Sequence, residues 1–130
     1  MKTKEKIVKS YKDLKIWQKS IDLVDFVYKE TEAFPSDETY GLRSQIRRCA
    51  VSIPSNIAEG SSKKSTKELL RFLNIAYGSL SELETQFYIA NRQNYIHKNI
   101  LDVLDIRTSE IGKMVNGLRN NLYNKLSSSN

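Results

Sequence analysis

Residues 65–90 read STKELLRFLNIAYGSLSELETQFYIA, and this stretch decides the fold class. Its apolar side chains recur at alternating steps of four and three residues, which is the spacing of a helix face in a bundle. Ser65 and Glu68 have the spacing of a capping box at the helix start. The stripe consists of Leu69, Leu73, Ala76, Leu80, Leu83, Phe87 and Ala90. The stretch therefore predicts a long amphipathic helix that ends between Asn91 and Asn94.

Three further segments have helical spacing, and none shows a convincing period of two. A first helix is predicted over residues 13–33 and ends at Phe34-Pro35, because proline disfavours helical geometry in the residue before it. Its predicted core stripe is Leu14, Trp17, Ile21, Val24 and Tyr28. A fourth helix is predicted over residues 98–126. These segments flank the second and third helices with short connections.

The second predicted helix starts after Ser36, a plausible N-cap, and runs to Gly60. Pro54 lies inside it and removes one backbone hydrogen bond. We therefore expect a kink near Pro54, or a helix that restarts there. Gly78, in the middle of the third helix, is expected to serve close packing of a neighbouring helix.

The four helices predict an all-α protein with an antiparallel up-down-up-down four-helix bundle. We expect a flexible basic N-terminal arm at residues 1–10, one bundle domain at residues 11–126 and a frayed tail at residues 127–130. The first and third helices carry more apolar side chains than one seam needs. This surplus favours self-association, and the alternative is a wide core face with tyrosines at its rim. The surplus side chains are Ile16, Leu23 and Val27 in the first helix and Leu70, Tyr77, Tyr88 and Ile89 in the third.

Composition narrows the function classes. The chain has 130 residues, and Cys49 is its only cysteine, so an intramolecular disulfide is excluded. No apolar run has signal-peptide or membrane-spanning length, and we expect a cytoplasmic protein without a membrane partner. Cys49 is read as a buried thiol and His97 as a surface or capping residue, without ligand partners. We expect Glu82 to be partly buried beside a basic side chain, and we predict no catalytic site, metal or other cofactor.

Clustered basic side chains are the one pattern in the sequence that indicates a binding site. The formal net charge is +6, and the basic excess is concentrated in residues 1–20 and 43–71. Such asymmetry favours a polyanionic partner such as nucleic acid, whereas the plain alternative is solubilising charge on exposed helix faces. Residues four apart share a helix face and can contact successive phosphates. The candidate nucleic-acid-binding residues are Arg43, Arg47, Arg48, Lys63, Lys64, Lys67 and Arg71.

Several motifs resemble a bacterial four-helix bundle family that is encoded within intervening sequences of large-subunit ribosomal RNA genes. The resemblance covers residues 11–122. Its motifs are Leu14-x-x-Trp17-Gln18, Gln45-Ile46-Arg47-Arg48, Ser52-Ile53-Pro54-Ser55-Asn56-Ile57-Ala58-Glu59-Gly60 and Ile75-Ala76-x-Gly78-Ser79-x-x-Glu82-Leu83. The resemblance implies a ring-shaped homopentamer without known catalytic residues. It also implies a relation to the accessory protein of diversity-generating retroelements, which binds nucleic acid and a reverse transcriptase.

These observations lead to two hypotheses. The first is a non-enzymatic, homo-oligomeric accessory protein that binds nucleic acid, RNA more readily than DNA, as structured RNA or RNA–DNA hybrid. The second is a protein-interaction adaptor that docks on a nucleic-acid enzyme such as a reverse transcriptase. Asn56, Glu59 and Gly60 are read as structural, because they can cap the second helix and link it to its neighbours.

Overall fold

A computed structural model describes residues 10–128, and within them the chain forms four α-helices and two short 3-10 turns. The helices are α1 (Lys15–Thr31), α2 (Leu42–Ser61), α3 (Thr66–Arg92) and α4 (Lys98–Ser128). The 3-10 turns span Tyr11–Asp13 and Ser36–Glu38. The all-α, four-helix prediction is confirmed. The predicted N-terminal arm lies outside the described residues except for Ser10, and so does the end of the predicted tail, residues 129–130.

Each helix packs against its neighbours in the chain, and α1 also packs against α4. The end of α1 lies beside the start of α2, where Arg47 donates to the Tyr28 carbonyl. The start of α1 lies beside the end of α2, where Trp17 and Ala58 line opposite walls of a groove between the two helices. Between α3 and α4, Glu84 accepts a hydrogen bond from Thr108. The core between the helices is apolar, and its largest fully buried side chains include Phe87, Leu23, Ile46, Ile53, Ile57, Leu73, Leu83, Leu104 and Ile111.

The buried face of α1 differs from the predicted one. Ile16, Leu23 and Val27, which the spacing assigns to a second face, lie in the core together with Ser20 and Thr31. The two hydroxyls are tolerated there because Ser20 donates to the Ile16 carbonyl at 2.6 Å and Thr31 donates to the Val27 carbonyl at 2.8 Å. The predicted stripe is only partly covered and faces the groove between α1 and α2.

The start of α2 also differs from its prediction. Ser36 belongs to a separate 3-10 turn, and α2 begins at Leu42. Glu38 caps it instead, because the Leu42 N–H donates to Glu38 Oε1 at 2.7 Å. The Tyr95 hydroxyl donates to the other carboxylate oxygen at 2.9 Å, which ties this cap to the connection between α3 and α4. The helix runs through Pro54 without a restart, so that alternative is wrong, and the kink stays a prediction.

The junction of α2 and α3 depends on Gly60 and Ser65. A Cβ on Gly60 would lie 2.8 Å from Cβ of Phe72, so this glycine permits the close approach of the two helices. Ser65 caps α3 as predicted, since its hydroxyl accepts from the Glu68 N–H at 3.2 Å. The prediction that Gly78 serves close packing of a neighbouring helix is wrong, because a Cβ on Gly78 would meet no other part of residues 10–128 within 4 Å.

Candidate nucleic-acid interface

Charge is distributed unevenly between the two ends of the bundle. The start of α1, the end of α2, the start of α3 and the end of α4 lie at one end, which we call the basic end (residues 10–19, 59–71 and 119–128). These segments hold nine basic and three acidic side chains. The corresponding segments at the other end, residues 28–48 and 92–105, hold six basic and six acidic ones. A polyanion is therefore attracted to the basic end.

Four of the predicted cations surround the turn between α2 and α3. Lys63, Lys64, Lys67 and Arg71 are all exposed. The Lys63 ammonium lies 5.6 Å and the Arg71 guanidinium 4.5 Å from the ring centre of Phe72, so one buried ring supports both cations. Arg71 also pairs with Glu68 at 3.1 Å. Lys64 and Lys67 make no ion pair within residues 10–128, which leaves their charge available to solvent or to a ligand.

Arg43 binds the end of α1 with its whole guanidinium group. Its Nε donates to the Thr31 carbonyl at 3.1 Å, and one terminal nitrogen donates to the Phe34 carbonyl at 2.6 Å. That nitrogen also lies 3.4 Å from the Glu32 carbonyl, and the other terminal nitrogen lies 3.4 Å from the Thr39 hydroxyl. The last carbonyls of a helix lack intrahelical partners, and a cation there is favoured by the helix dipole. Arg43 thus caps α1.

Arg47 supports the same helix end one turn further along α2. Its Nε donates to the Thr31 hydroxyl at 2.9 Å and a terminal nitrogen donates to the Tyr28 carbonyl at 3.0 Å. Its guanidinium also lies 4.4 Å from the centre of the Tyr28 ring. Arg48, in contrast, is exposed, and within residues 10–128 it donates only to the Ser44 hydroxyl of its own helix, at 3.2 Å.

The structure therefore divides the predicted site into two groups. Arg43 and Lys63 are separated by 20 residues of nearly continuous helix, which corresponds to roughly 30 Å. Lys63, Lys64, Lys67 and Arg71 share the basic end, whereas Arg43, Arg47 and Arg48 lie towards the other end. A phosphate-binding role for each residue stays a prediction, but Arg43 and Arg47 already hold α1.

Sequence reasoning missed a polar and aromatic cluster on the outer side of α3 and α4. The Arg119 guanidinium lies 4.0 Å from the Tyr77 ring centre and donates to the side-chain oxygens of Asn74 and Asn116, each at 2.9 Å. The side chain of Asn74 also reaches the Tyr123 hydroxyl at 3.5 Å. No local pattern indicates this cluster, because its members come from two different helices. The only sign of the cluster in the sequence is the surplus of tyrosines, which includes Tyr77.

The other candidate reactive groups have ordinary structural surroundings. Cys49 is buried, its thiol lies 3.2 Å from the Ser79 carbonyl, and burial raises its pKa to about 12. Its expected burial is confirmed. Glu82 is exposed rather than partly buried, and its carboxylate accepts from Gln86 at 3.3 Å. His97 is exposed beside the start of α4.

The described part of the chain has no group of three or more histidine, cysteine or acidic side chains placed to hold a metal ion. None of its helices combines the length and apolarity that a bilayer crossing requires.

Comparison with known proteins gives one family. No curated protein matches the chain. The family described as 23S rRNA-intervening sequence protein matches residues 12–117, which include α1 to α3, most of α4 and the α2–α3 turn with Lys63 and Lys64. Because this match spans most of the 130 residues, the chain belongs to the 23S rRNA-intervening sequence protein family.

Proposed function

We propose that this chain is a non-enzymatic accessory protein of the cytoplasm that binds nucleic acid as a homo-oligomer. Its ligand is structured RNA or an RNA–DNA hybrid, and its first contacts are phosphates. The observation that carries the proposal is the group of exposed cations around the α2–α3 turn. Lys63, Lys64 and Lys67 project there without an ion pair in the described part of the chain.

Cations placed in this way suit a phosphate backbone. Lys63 and Lys64 follow the end of α2, and Lys67 lies in the first turn of α3, so the three residues lie within a few positions of a helix start. Helix starts favour anions because their first N–H groups have no intrahelical partner. Contacts of this kind supply affinity and orientation without reading base sequence. RNA is proposed over DNA because the family description names a ribosomal RNA.

A fluorescence anisotropy titration at rising salt tests the proposal. The probes are a labelled RNA hairpin, an RNA–DNA hybrid and a DNA duplex of matched length. Phosphate binding predicts affinity that falls steeply between about 50 and 200 mM salt, because bound cations are released from the nucleic acid. Affinity that ignores salt, or no binding at low salt, would overturn the proposal. The adaptor alternative would then take its place.

Self-association is the second part of the proposal, and the groove between α1 and α2 supports it. Trp17, Ile21 and Val24 line one wall and Val51 and Ala58 the other, so the groove is largely apolar and open to solvent. Covering it with a second copy would bury aromatic and branched side chains that one bundle leaves partly exposed. Several copies would also present several basic ends, which raises the avidity for a long polyanion.

The mass of the protein in solution at micromolar concentration tests this part. We expect an oligomer, and five subunits are what the family resemblance implies. Val51→Glu should dissociate it, whereas Val103→Glu on α4 is the matched control, since the two valines are 39% and 38% exposed. A monomeric wild type, or an oligomer that survives Val51→Glu, contradicts association through this groove.

A further inference from the structure

The cluster on the outer side of α3 and α4 combines one cation with two aromatic rings. Arg119 links two tyrosines: its guanidinium lies against Tyr77, and it shares Asn74 with the hydroxyl of Tyr123. Asn116 binds its remaining terminal nitrogen at 2.9 Å. The guanidinium is therefore fixed by two amides and one ring, although its Nε donor is buried without a partner. Groups held this firmly lose little conformational freedom when a ligand binds.

Both tyrosine rings are accessible despite these contacts. Tyr77 is 37% and Tyr123 47% exposed. Exposed aromatic rings beside cations are what nucleic-acid-binding proteins use to stack unpaired bases, with arginine adding a planar cationic surface. Bases inside a duplex are already stacked on one another and do not offer these faces.

The cluster lies within reach of the cations proposed to bind phosphate. Lys67 and Asn74 are seven residues apart in α3, so they share a helix face about 11 Å apart along the axis. Arg119 and Tyr123 are in the α4 segment of the basic end. A strand whose phosphates lie at Lys67 can thus extend its bases across the tyrosines.

We propose that Tyr77, Arg119 and Tyr123 form a stacking platform for the unpaired bases of single-stranded RNA. The inference rests on the proposed nucleic-acid binding and adds the class of ligand: unpaired nucleotides next to the phosphates held at the basic end. Loops and strand ends are then preferred over continuous duplex.

Anisotropy titrations with the full chain test this platform. The probes are a labelled 12-nucleotide single-stranded RNA and the same strand annealed to its complement. The variants are Tyr123→Ala and Tyr123→Phe, which removes only the hydroxyl. Tyr88→Ala is the control, because Tyr88 is an exposed tyrosine on α3 that lies towards the opposite end of the bundle from Tyr123. Thermal unfolding of each variant checks that the bundle is intact.

Stacking predicts that Tyr123→Ala weakens single-strand binding about tenfold, while duplex binding stays at the wild-type value. Tyr123→Phe and Tyr88→Ala should bind both probes like the wild type. Equal single-strand affinity for Tyr123→Ala and wild type, or an equal loss on both probes, overturns the platform and leaves the phosphate-binding proposal intact. A wild type that binds neither probe at low salt overturns both.

Discussion

The guanidinium of Arg43 donates a 2.6 Å hydrogen bond to the carbonyl oxygen of Phe34, the residue before Pro35. The same side chain binds the last carbonyl of α1 at Thr31. One arginine of α2 therefore holds both the end of α1 and the loop that follows it. The basic residue at the start of α2 is therefore explained by its structural role in joining α1 and α2.

Arg43→Ala should destabilise the bundle by about 1–3 kcal/mol, because several carbonyls lose a charged donor in a half-buried place. Urea unfolding followed by circular dichroism measures the change. Lys64→Ala is the control and should lie within about 0.5 kcal/mol of the wild type, since Lys64 is exposed and makes no ion pair in the described residues. Wild-type stability of Arg43→Ala would contradict the capping role.

Two glycine substitutions should act in opposite directions. Gly60→Ala places a Cβ 2.8 Å from that of Phe72 and should cost about 1–3 kcal/mol through overpacking. Gly78→Ala meets no neighbour in the described part of the chain and should stabilise the protein by roughly 0.5–1 kcal/mol through helix propensity alone. Thermal or urea unfolding of both variants tests the pair. A destabilised Gly78→Ala would mean that Gly78 is covered by another copy or a ligand.

The cap of α2 should make stability depend on acid. The pKa of Glu38 is lowered, first by the Leu42 N–H and then by the Tyr95 hydroxyl, both of which donate to the carboxylate. A group with a depressed pKa contributes stability above its unfolded pKa, and this is lost as the pH falls through the folded pKa. The wild type should therefore lose more stability than Glu38→Gln as the pH falls below about 4.5. The urea unfolding midpoints of both proteins, measured across that pH range, test this prediction. Midpoints that fall in parallel for wild type and Glu38→Gln would contradict the capping role of Glu38.

The thiol of Cys49 should be inert in the folded protein. Its pKa of about 12, which burial raises, leaves almost no thiolate at pH 8. A disulfide reagent such as DTNB should react slowly with the native chain and rapidly after unfolding in guanidinium. Native reactivity at the rate of a free thiol would show that Cys49 is accessible.

The sequence predicts the buried face of some helices better than that of others, for physical reasons. The helix α3 was predicted well because its stripe is strictly apolar and Ser65 caps it. The face of α1 was assigned wrongly because two buried positions, Ser20 and Thr31, satisfy their hydroxyls within the helix and so interrupt the apolar pattern. Two stripes then fit the same spacing. Packing against α2 and α4 decides between them, and that information is not local.

The candidate site shows the same limit. Spacing placed Lys67 and Arg71 on one face, but it could not reveal that the partners of Arg43 are backbone carbonyls at the end of another helix. A guanidinium that caps a helix and one that awaits a phosphate look identical in sequence. The pairing of Tyr77 with Arg119 joins two helices and was equally hidden.

The salt dependence of RNA binding tests the central claim most directly. The triple variant Lys63→Gln, Lys64→Gln, Lys67→Gln removes three charges from the α2–α3 turn, and Lys29→Gln, Arg92→Gln, Lys98→Gln removes three from the other end. If the three lysines bind phosphates, the first variant should flatten the slope of log affinity against log salt by about 2–3, at about 0.7–0.9 per lost contact. The second should keep a slope close to that of the wild type. An unchanged slope for the first variant, or equal losses for both, would contradict a phosphate-binding site at the α2–α3 turn.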